Sequence, residues 1–375
     1  MASDPAAVSD RERRILGIIE TARAKRPRFT AEQVTMAHGA GGKATQTLIE
    51  GLFVPAFAGD RIDAAAIAAG GLAALGDAGT VVVGSEGVAI STDSFVVRPI
   101  RFPGGSIGGL AVNGTVNDLA MAGARPRAIA IALVLEEGLA AAELAAEVDA
   151  IAAAADAAGV EIVAGDTKVV ERGRCDSMYI TTTGIGQLDP RASLSPAALG
   201  PGDRVLLSGP IGEHGTAIML ARDEFDLEAD IESDTQSLWP AAEALIGAAG
   251  AELRCMRDAT RGGVATVLNE LARASGVAIV AREADVPVRP AVAGAAELLG
   301  IDPMYVANEG RLVAVVAAAA APQALDALRS VAGSEEAVEI GAVGAEPPGM
   351  VLVETAFGGR RVMDLLAGDP LPRIC

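Results

Sequence analysis

The sequence predicts an α/β protein made of two domains. Its 375 residues are more than one hydrophobic core usually organises. Apolar runs of strand length alternate with helical segments along most of the chain. We place an N-terminal domain at residues 34–186 and a C-terminal α/β domain at residues 202–367. The segment between them, residues 187–201, contains three prolines and is predicted to be a linker.

Local patterns predict the elements of the N-terminal domain. A short strand at residues 34–36 leads into a glycine-rich loop and a helix at residues 45–53, and residues 59–79 are interpreted as a surface connection. Two apolar runs, at residues 80–83 and 88–91, flank turn residues and indicate a β-hairpin. The remaining predictions are helices at 107–121 and 139–158 and strands at 128–133, 160–163 and 178–185.

The C-terminal domain follows the same alternation. We predict strands at residues 203–210, 277–281 and 312–316. One helix is predicted at residues 214–222, and a second is opened by the motif at residues 257–263 and extends to about residue 275. An acidic stretch, residues 223–234, is interpreted as a solvated face or loop.

The composition argues against a membrane protein. Hydrophobic residues make up 51% of the chain, but the surplus is alanine and glycine, and no run reaches 18 strongly apolar residues. Residues 1–33 are predicted to be a leader that is helical or disordered. Because this leader lacks the apolar core of a secretory signal, we expect a cytoplasmic protein with no membrane partner.

Charge and cysteine content exclude further classes. A net charge of −19 repels phosphate backbones, and 3% aromatic residues offer little surface for stacking bases, so no nucleic acid is expected as a partner. The three cysteines are isolated and accompany only two histidines. Neither a disulfide framework nor a thiolate zinc site is therefore predicted.

The glycine-rich loop at residues 38–43 is a candidate phosphate site. Bare backbone amides can approach and surround phosphate oxygens. The loop is not a Walker A loop, because position 37 is alanine and Ala44, rather than Ser or Thr, follows Lys43. A plain turn explains this loop equally well when it is considered alone.

Three aspartates lie where apolar elements give way to small or polar residues: Asp93, Asp118 and Asp166. If the fold brings them together, their like charges favour a hard divalent cation, and Mg²⁺ prefers carboxylate and nucleotide phosphate oxygens. This pattern predicts an ATP site without a P-loop. A single aspartate at such a position is more often a cap or a turn former, so the prediction depends on the three together.

The C-terminal tail, residues 368–375, ends in Cys375. Pro370 and Pro372 oppose a helix, so we predict an extended, mobile tail that could carry a terminal thiol into and out of a pocket. A cysteine at a disordered end is by itself weak evidence of function.

Together these motifs resemble the HypE family of hydrogenase maturation factors. The resemblance runs in order from about residue 34 to residue 375. It rests on residues 38–43 (HGAGGK), 91–94 (STDS), 102–105 (FPGG), 114–120 (GTVNDLA), 165–170 (GDTKVV), 257–263 (RDATRGG), 307–310 (ANEG) and 372–375 (PRIC).

The resemblance implies a fold and an activity. The fold is the two-domain arrangement of aminoimidazole ribonucleotide synthetase, with an N-terminal domain that forms a β-barrel in a homodimer. The activity is the ATP-dependent dehydration of a carboxamide on Cys375 to a thiocyanate, which supplies cyanide ligands to the iron of the nickel–iron hydrogenase centre. The implied partners are the carbamoyltransferase HypF and the HypC–HypD scaffold complex.

The resemblance also implies roles for individual residues. Cys375 carries the substrate, and Lys168 and Glu309 handle protons at the carboxamide. Alternatively, Lys168 only neutralises phosphate and Glu309 only pairs with an arginine. Asp258 and Arg261 are expected to shape the cleft near the helix start, although Asp258 could instead only cap that helix, and His214 has no assigned role. The residues implied in binding ATP are Gly39, Gly41, Gly42, Lys43, Asp93, Asn117, Asp118, Asp166 and Thr167, of which the three aspartates hold Mg²⁺.

Two other functions compete with this one. A synthetase or kinase of the same superfamily would use the same aspartates on a diffusible small molecule and would not need Cys375. A carrier without catalytic activity would use the tail only for docking, and its function would survive Asp93→Asn.

Overall fold

The structure, a computed structural model, describes residues 28–58, 76–222, 229–366 and 373–375. Several sequence predictions lie wholly or partly outside these ranges. They are most of the predicted leader, residues 59–75 of the predicted connection, residues 223–228 of the acidic stretch and residues 368–372 of the predicted tail.

The first described elements are short helices. A 3₁₀ turn, Met36–Gly39, precedes helix α1 (Lys43–Leu48), which continues through a π turn, Ile49–Phe53, into α2 (Val54–Ala58). The predicted strand at residues 34–36 is wrong. Val34 and Met36 are exposed, so they have no sheet to pack on, and the Thr35 N–H donates to His38 Nδ1 at 2.9 Å, which favours a turn.

The first sheet has five strands in the order β1-β2-β7-β5-β6. They are β1 (Gly79–Val83), β2 (Glu86–Phe95), β5 (Ala124–Glu136), β6 (Glu161–Val170) and β7 (Met178–Leu188), and β3 (Arg101–Phe102) pairs separately with β4 (Gly105–Ser106). The predicted hairpin is confirmed as the antiparallel pair β1 and β2. All neighbouring strands in this sheet are antiparallel except β5 and β6, which are parallel. Helix α4 (Ala141–Ala158) forms the crossover connection between these two strands.

Strand β6 is longer than predicted. The segment 165–168 was expected to follow the strand, but it continues the ladder, with Asp166 opposite Ala132 and Lys168 opposite Val134 of β5. Since side chains alternate along a strand, Asp166 and Lys168 lie on the same face of the sheet.

Helix α3 (Ile107–Met121), predicted with the correct bounds, is the centre of the molecule. It packs against β2, β5 and β7 of the first sheet and also against β9 and α6 of the second half. Small residues permit this close packing: a Cβ on Gly114 would lie 2.7 Å from the Phe95 ring. A helix buried on all sides must satisfy its polar residues internally, and the Thr115 hydroxyl contacts Thr182 Oγ1 for this reason.

The second sheet has seven strands in the order β14-β13-β10-β12-β8-β11-β9. They are β8 (Arg204–Leu207), β9 (Leu253–Asp258), β10 (Ala278–Arg282), β11 (Leu312–Val316), β12 (Val338–Gly344), β13 (Met350–Glu354) and β14 (Arg360–Met363). Strand β11 is buried along its whole length between β8 and β9, which explains its unbroken apolar sequence.

Five helices accompany the second sheet in the described part of the chain. They are α5 (Glu213–Ala221), α6 (Trp239–Ala249), α7 (Gly263–Ser275), α8 (Pro290–Leu299) and α9 (Ala321–Arg329). None of the helices among the described residues is long and apolar enough to cross a membrane.

The two halves share one hydrophobic core. Phe95 and Leu110 of the first half belong to the same buried cluster as Leu206 and Ile246 of the second. The predicted domain boundaries remain a prediction, but the shared core means that the site between the halves is supported from both sides.

The described end of the acidic stretch, residues 229–234, is a loop, as one of the two alternatives predicted, but it is not fully solvated. Asp234 is completely buried in its side chain, and it accepts hydrogen bonds from the backbone N–H groups of Glu309 (3.0 Å) and Gly310 (3.3 Å). Its other neighbour is Arg311, whose Nε lies 3.5 Å from Asp234 Oδ2. This carboxylate therefore holds the loop that carries Glu309.

Candidate active site

A pocket of about 900 Å³ lies between the two halves of the chain. Segments far apart in the sequence form its walls: the glycine loop, strand β2, helix α3, the end of β9 and the start of α7. Glu309 and Cys375 complete the lining. The fold thus brings most of the predicted motifs to one place.

The glycine loop reaches the pocket through Gly39 and Gly41. Gly41 has a positive φ of 76°, and a Cβ there would lie 3.0 Å from the Arg261 side chain, so only glycine fits this approach. Arg261 Nη1 donates to the Gly39 carbonyl at 3.1 Å. The loop is therefore fixed against the start of α7 and presents bare backbone to the cavity.

Gly42 and Lys43 have a different position from the one expected for phosphate contacts. Gly42 is the N-cap of α1, and neither residue is among those that line the pocket. Lys43 Nζ lies 2.9 Å from Asp364 Oδ2, and the Lys43 N–H donates to the Leu366 carbonyl at 3.0 Å. In this structure Lys43 ties the glycine loop to the end of the second half.

Asp93 and Asp118 are brought together, as predicted. Asp93 comes from β2, where it accepts the Ser94 N–H at 2.7 Å, and Asp118 comes from α3, where it accepts a hydrogen bond from the Ser91 hydroxyl. Loss of water around Asp118, reinforced by the negative charges of Asp258 and other carboxylates, raises its pKa well above the usual range. A cation would relieve this repulsion.

A second acidic group adjoins these aspartates, and its members were not predicted as ligands. Asp258 ends β9 and is buried, and burial together with the charge of Asp77 raises its pKa well above the usual range. Arg257 partly offsets these charges, because it pairs with both Asp77 and Glu270. The family resemblance predicted that Asp258 shapes the cleft, but it did not predict which carboxylates would meet there.

Glu309 is 2% exposed and lines the same pocket. Burial is the main cause that raises its pKa well above the usual range, and Asp258, Asp93 and Asp234 add to it, while Arg261 opposes it. Within the part of the chain that the structure describes, Glu309 Oε1 is buried without a hydrogen-bond partner. Such an unsatisfied oxygen has the capacity to bind a substrate or a proton that arrives with it.

Asp166, Thr167 and Lys168 lie away from this pocket. Asp93 is aligned across β7 and β5 with Gly165 of β6, which is three strand spacings, or about 14 Å, away. Mg²⁺ holds its ligands at about 2 Å, so Asp166 cannot share an ion with Asp93 of the same chain. The prediction of three aspartates around one ion is therefore not met within a single chain.

The charges on β6 neutralise each other instead. Lys168 Nζ lies 2.7 Å from Asp166 Oδ1, and this hydrogen bond is the main cause that lowers the pKa of Asp166. Among the described residues, no group of three or more His, Cys, Asp or Glu side chains has the arrangement of a metal site.

Asn117 supports the site from behind and does not line the pocket. It is fully buried, and its amide nitrogen donates to the carbonyls of Gln236 (3.0 Å) and Glu309 (3.2 Å). Its amide oxygen accepts the Leu238 N–H at 2.7 Å. Asn117 thus joins α3 to the Glu309 loop, and the nucleotide contact expected from sequence is not what the structure shows.

The C-terminal residues are docked in the cavity. Cys375 is 8% exposed and lines the pocket, and Ile374 is 2% exposed within the shared core. The negative charge at Cys375 is the largest of the influences that raise the pKa of Arg261. The terminal residue therefore shares one pocket with Arg261, Glu309 and Asp93.

His214 has a clear structural role that the sequence did not reveal. It is completely buried on α5, and its Nε2 lies 2.7 Å from the carbonyl oxygen of Ile374. Because these residues are 160 positions apart, only the folded chain shows that His214 contacts the tail.

Comparisons with known proteins identify the family of this chain. Residues 63–188 match the N-terminal domain of AIR synthase related proteins, and residues 200–353 match the C-terminal domain. The carbamoyl dehydratase HypE of Azotobacter vinelandii is 48% identical over 91% of this chain and 97% of its own length.

Solved structures show the same likeness. One crystal structure of a HypE–HypF complex is 41% identical, covers 85% of this chain and 99% of the other, and has a TM-score of 0.78. A second, of HypE in complex with ATP, is 42% identical over 92% of this chain and 100% of the other, with a TM-score of 0.74. The sequence resemblance is confirmed, and the chain belongs to the HypE family of AIR synthase related proteins.

Proposed function

We propose that this chain is an ATP-dependent carbamoyl dehydratase that acts on a carboxamide carried by its own Cys375. The observation that carries the proposal is the position of the terminal thiol, which lies in one pocket with Glu309, Asp93 and the glycine loop. A diffusible substrate would leave this placement of the last residue unexplained. The names of the related proteins support the same activity.

The reaction removes the elements of one water molecule from the amide. The amide oxygen is a poor leaving group, so it first attacks the γ-phosphorus of ATP and releases ADP. The carbon–oxygen bond then breaks, and phosphate departs with that oxygen. As the C≡N bond forms, the nitrogen gives up both protons, one to Glu309 and one to the departing phosphate. The products are the thiocyanate on Cys375, ADP and phosphate. In-line transfer of this kind depends mainly on positioning and charge neutralisation.

The nucleotide is proposed to bind along the glycine loop. Gly39 and Gly41 present backbone without side chains to the pocket, and Arg261 holds this loop in place. The related HypE crystallised with ATP supports the assignment. Lys43 would contribute only after leaving Asp364, and both side chains are partly exposed, which would permit that exchange.

Magnesium fits the donor set formed by Asp93 and Asp118. Both carboxylates face one pocket, where burial, reinforced by the neighbouring carboxylates, raises the pKa of Asp118. A divalent cation would offset these negative charges. When bound, Mg²⁺ supplies charge neutralisation on the transferring phosphoryl group. Asp258 is close enough to influence Asp118 and adds negative charge to the same side of the pocket.

Glu309 is proposed to receive a proton from the amide nitrogen. Its buried Oε1 is unsatisfied in the docked state, so it has capacity for a new hydrogen bond. Burial, reinforced by the neighbouring carboxylates, raises the pKa of Glu309 and makes its carboxylate more basic than usual, which suits a proton acceptor. A dry pocket also protects the intermediate from water.

Lys168 could reach the pocket only from a second copy of the chain. It is exposed on β6, and the same edge strand exposes Ile162, Val163 and Val169. No other described strand pairs with the outer edge of β6, so these apolar side chains lie open to a partner. We propose that β6 packs in a homodimer and brings Asp166, Thr167 and Lys168 of one copy to the pocket of the other. A barrel formed by the two first sheets is the arrangement expected from the resemblance.

The proposed partners follow from the position of the thiol. A crystal structure of a related HypE with HypF supports HypF as a partner, and we propose that HypF carbamoylates Cys375. The cyanide is proposed to pass to iron on the HypC–HypD complex, in the cytoplasm, for a nickel–iron hydrogenase. Each transfer needs the tail to leave the pocket in which this structure shows its last residues.

Intact mass measurement tests the proposed function. Protein carbamoylated on Cys375 is incubated with MgATP, and fragments locate the change. We expect the loss of one water confined to Cys375, with Cys375→Ser as the control that is never carbamoylated. An unchanged Cys375, together with ATP turnover on an added small molecule, would instead assign the chain to the synthetase or kinase class.

A further inference from the structure

We propose that His214, Ser233 and Arg222 form a docking site for the last three residues of the chain, and that this site positions the Cys375 thiol for reaction. The inference rests on the proposed function for its catalytic consequence, but the docking itself is a separate property of the fold. It assigns a role to His214, which the proposed chemistry does not use.

His214 binds the tail through a fixed tautomer. A carbonyl oxygen only accepts, so Nε2–H must donate to the Ile374 oxygen, 2.7 Å away. The other nitrogen, Nδ1, lies 2.8 Å from Ser233 Oγ and accepts a hydrogen bond from the Ser233 hydroxyl. Ser233 is held in turn by the Thr235 N–H at 3.2 Å. Burial lowers the pKa of His214 to about 4, which keeps the ring in this neutral form.

The other two carbonyls of the tripeptide are also bound. Arg222 Nη2 donates to the Arg373 oxygen at 2.6 Å, and the Val96 N–H donates to the Cys375 oxygen at 3.1 Å. Arg222 is itself oriented by the Arg98 carbonyl, which accepts from its Nε at 2.9 Å. Every backbone carbonyl of residues 373–375 therefore has a donor from the body of the protein.

Side chains then fix the register of the tail. The Arg373 guanidinium contacts Asp176 and donates to the Val96 carbonyl at 3.3 Å, while Ile374 is buried in the shared core. Arg373 adopts a positive φ of 58°, a conformation that persists only where contacts on both sides hold it. A shift by one residue would lose these contacts and move the thiol, so the docking site selects Cys375 for the reacting position.

The same segment joins the tail to Glu309. Ser233 binds His214, and its neighbour Asp234 binds the backbone N–H of Glu309 at 3.0 Å. Docking of the tail and placement of the proton acceptor thus depend on two adjacent residues, 233 and 234. We therefore class His214 and Ser233 as positioning residues, since they touch the substrate-bearing chain and not the reacting atoms.

The rate at which N-ethylmaleimide alkylates Cys375, measured by mass spectrometry on the full-length protein without ATP, tests the docking. The docked thiol is 8% exposed and should react slowly. Loss of one hydrogen bond to the tail in His214→Ala is expected to raise the rate about tenfold. His214→Gln, whose amide N–H can replace Nε2–H, should react about as slowly as the wild type.

Variants outside the core keep the test valid if His214→Ala does not fold. Arg222→Ala and Asp176→Asn should each accelerate alkylation, whereas Arg360→Ala, an exposed arginine on β14, should not. Unchanged alkylation in Arg222→Ala and Asp176→Asn would overturn the docking site. Faster alkylation with unchanged dehydration in a single turnover would overturn the positioning role.

The alkylation assay does not depend on dehydration. If the wild type forms no thiocyanate but the variants still expose Cys375, the proposed function fails and the docking site stands. If thiocyanate forms in the wild type and alkylation does not respond, the docking site fails alone.

Discussion

Glu309 and Lys168, the two side chains expected to handle protons, lie in opposite environments. Glu309 is 2% exposed and faces the pocket, whereas the Lys168 side chain is 67% exposed on an edge strand and pairs with Asp166. The same contrast separates Asp118, beside other carboxylates in the pocket, from Asp166. One chain therefore builds the buried half of the site, and the exposed half would complete it only in the homodimer that we propose.

The largest effect is expected for Glu309→Gln. Gln keeps the size of the side chain but cannot accept a proton from the amide, so dehydration should fall about 10²- to 10⁴-fold. ATP binding should persist. The measurement is single-turnover conversion of carbamoylated Cys375 by intact mass, with the partly exposed Glu354→Gln as the control. Dehydration at the wild-type rate in Glu309→Gln would remove Glu309 from the mechanism.

Lys168→Ala probes the exposed half. We expect dehydration to fall by about 10²-fold or more because one proton-transfer group is lost, while nucleotide binding, measured by calorimetry, is retained. The fold should be unaffected, since Lys168 makes its ion pair at the surface. Normal nitrile formation in this variant would show that β6 has no part in the reaction.

The melting temperatures of Asp118→Asn and Asp166→Asn compare the buried half of the site with the exposed half. Burial and like charges raise the pKa of Asp118, so the folded protein without metal resists its ionisation. Asp118→Asn should therefore raise the melting temperature at pH 7 by roughly 2–4 °C, and the gain should shrink as the pH falls toward 4. Asp166→Asn should give no gain, because Lys168 lowers the pKa of Asp166. A matching rise in both variants would contradict the contrast.

The last effect is confined to acidic pH and concerns His214. Its pKa is about 4 in the folded protein and 6.5 in the reference state, so the unfolded chain binds the extra proton between these values. Wild-type stability should fall by about 3 kcal/mol from this residue as the pH drops from 6.5 to 4. His214→Gln should lack this component when melting curves are compared across the same range. Parallel pH profiles for the two proteins would show that His214 is not buried as a neutral ring.

Local patterns explain what the sequence predicted correctly. The helix at Ile107–Met121 and the β1–β2 hairpin depend on apolar periodicity and turn residues within a few positions. The gathering of the glycine loop, Asp93, Asp118, Glu309 and Cys375 followed from recognising ordered motifs of one family. The prediction that these distant residues meet in one pocket therefore depended on the family relation.

What local patterns could not predict are contacts between distant positions. Lys43 pairs with Asp364, 321 residues away, and Asn117 binds the Glu309 loop, 192 residues away, and no local signal indicated either contact. Asp166 was misplaced because the strand that carries it continues past residue 163. Its position in the sheet, three strands from Asp93, is set by strand order, which sequence spacing does not encode.

One measurement tests most directly whether two chains build the site around a terminal thiol. Lys168→Ala and Glu309→Gln chains are co-expressed, carbamoylated and given MgATP, and intact mass identifies which chain loses water. We predict that neither variant reacts alone, and that in the mixture only the Lys168→Ala chain, which keeps Glu309 beside its own Cys375, is dehydrated. Conversion of that chain without its partner, or no conversion in confirmed heterodimers, would contradict the account.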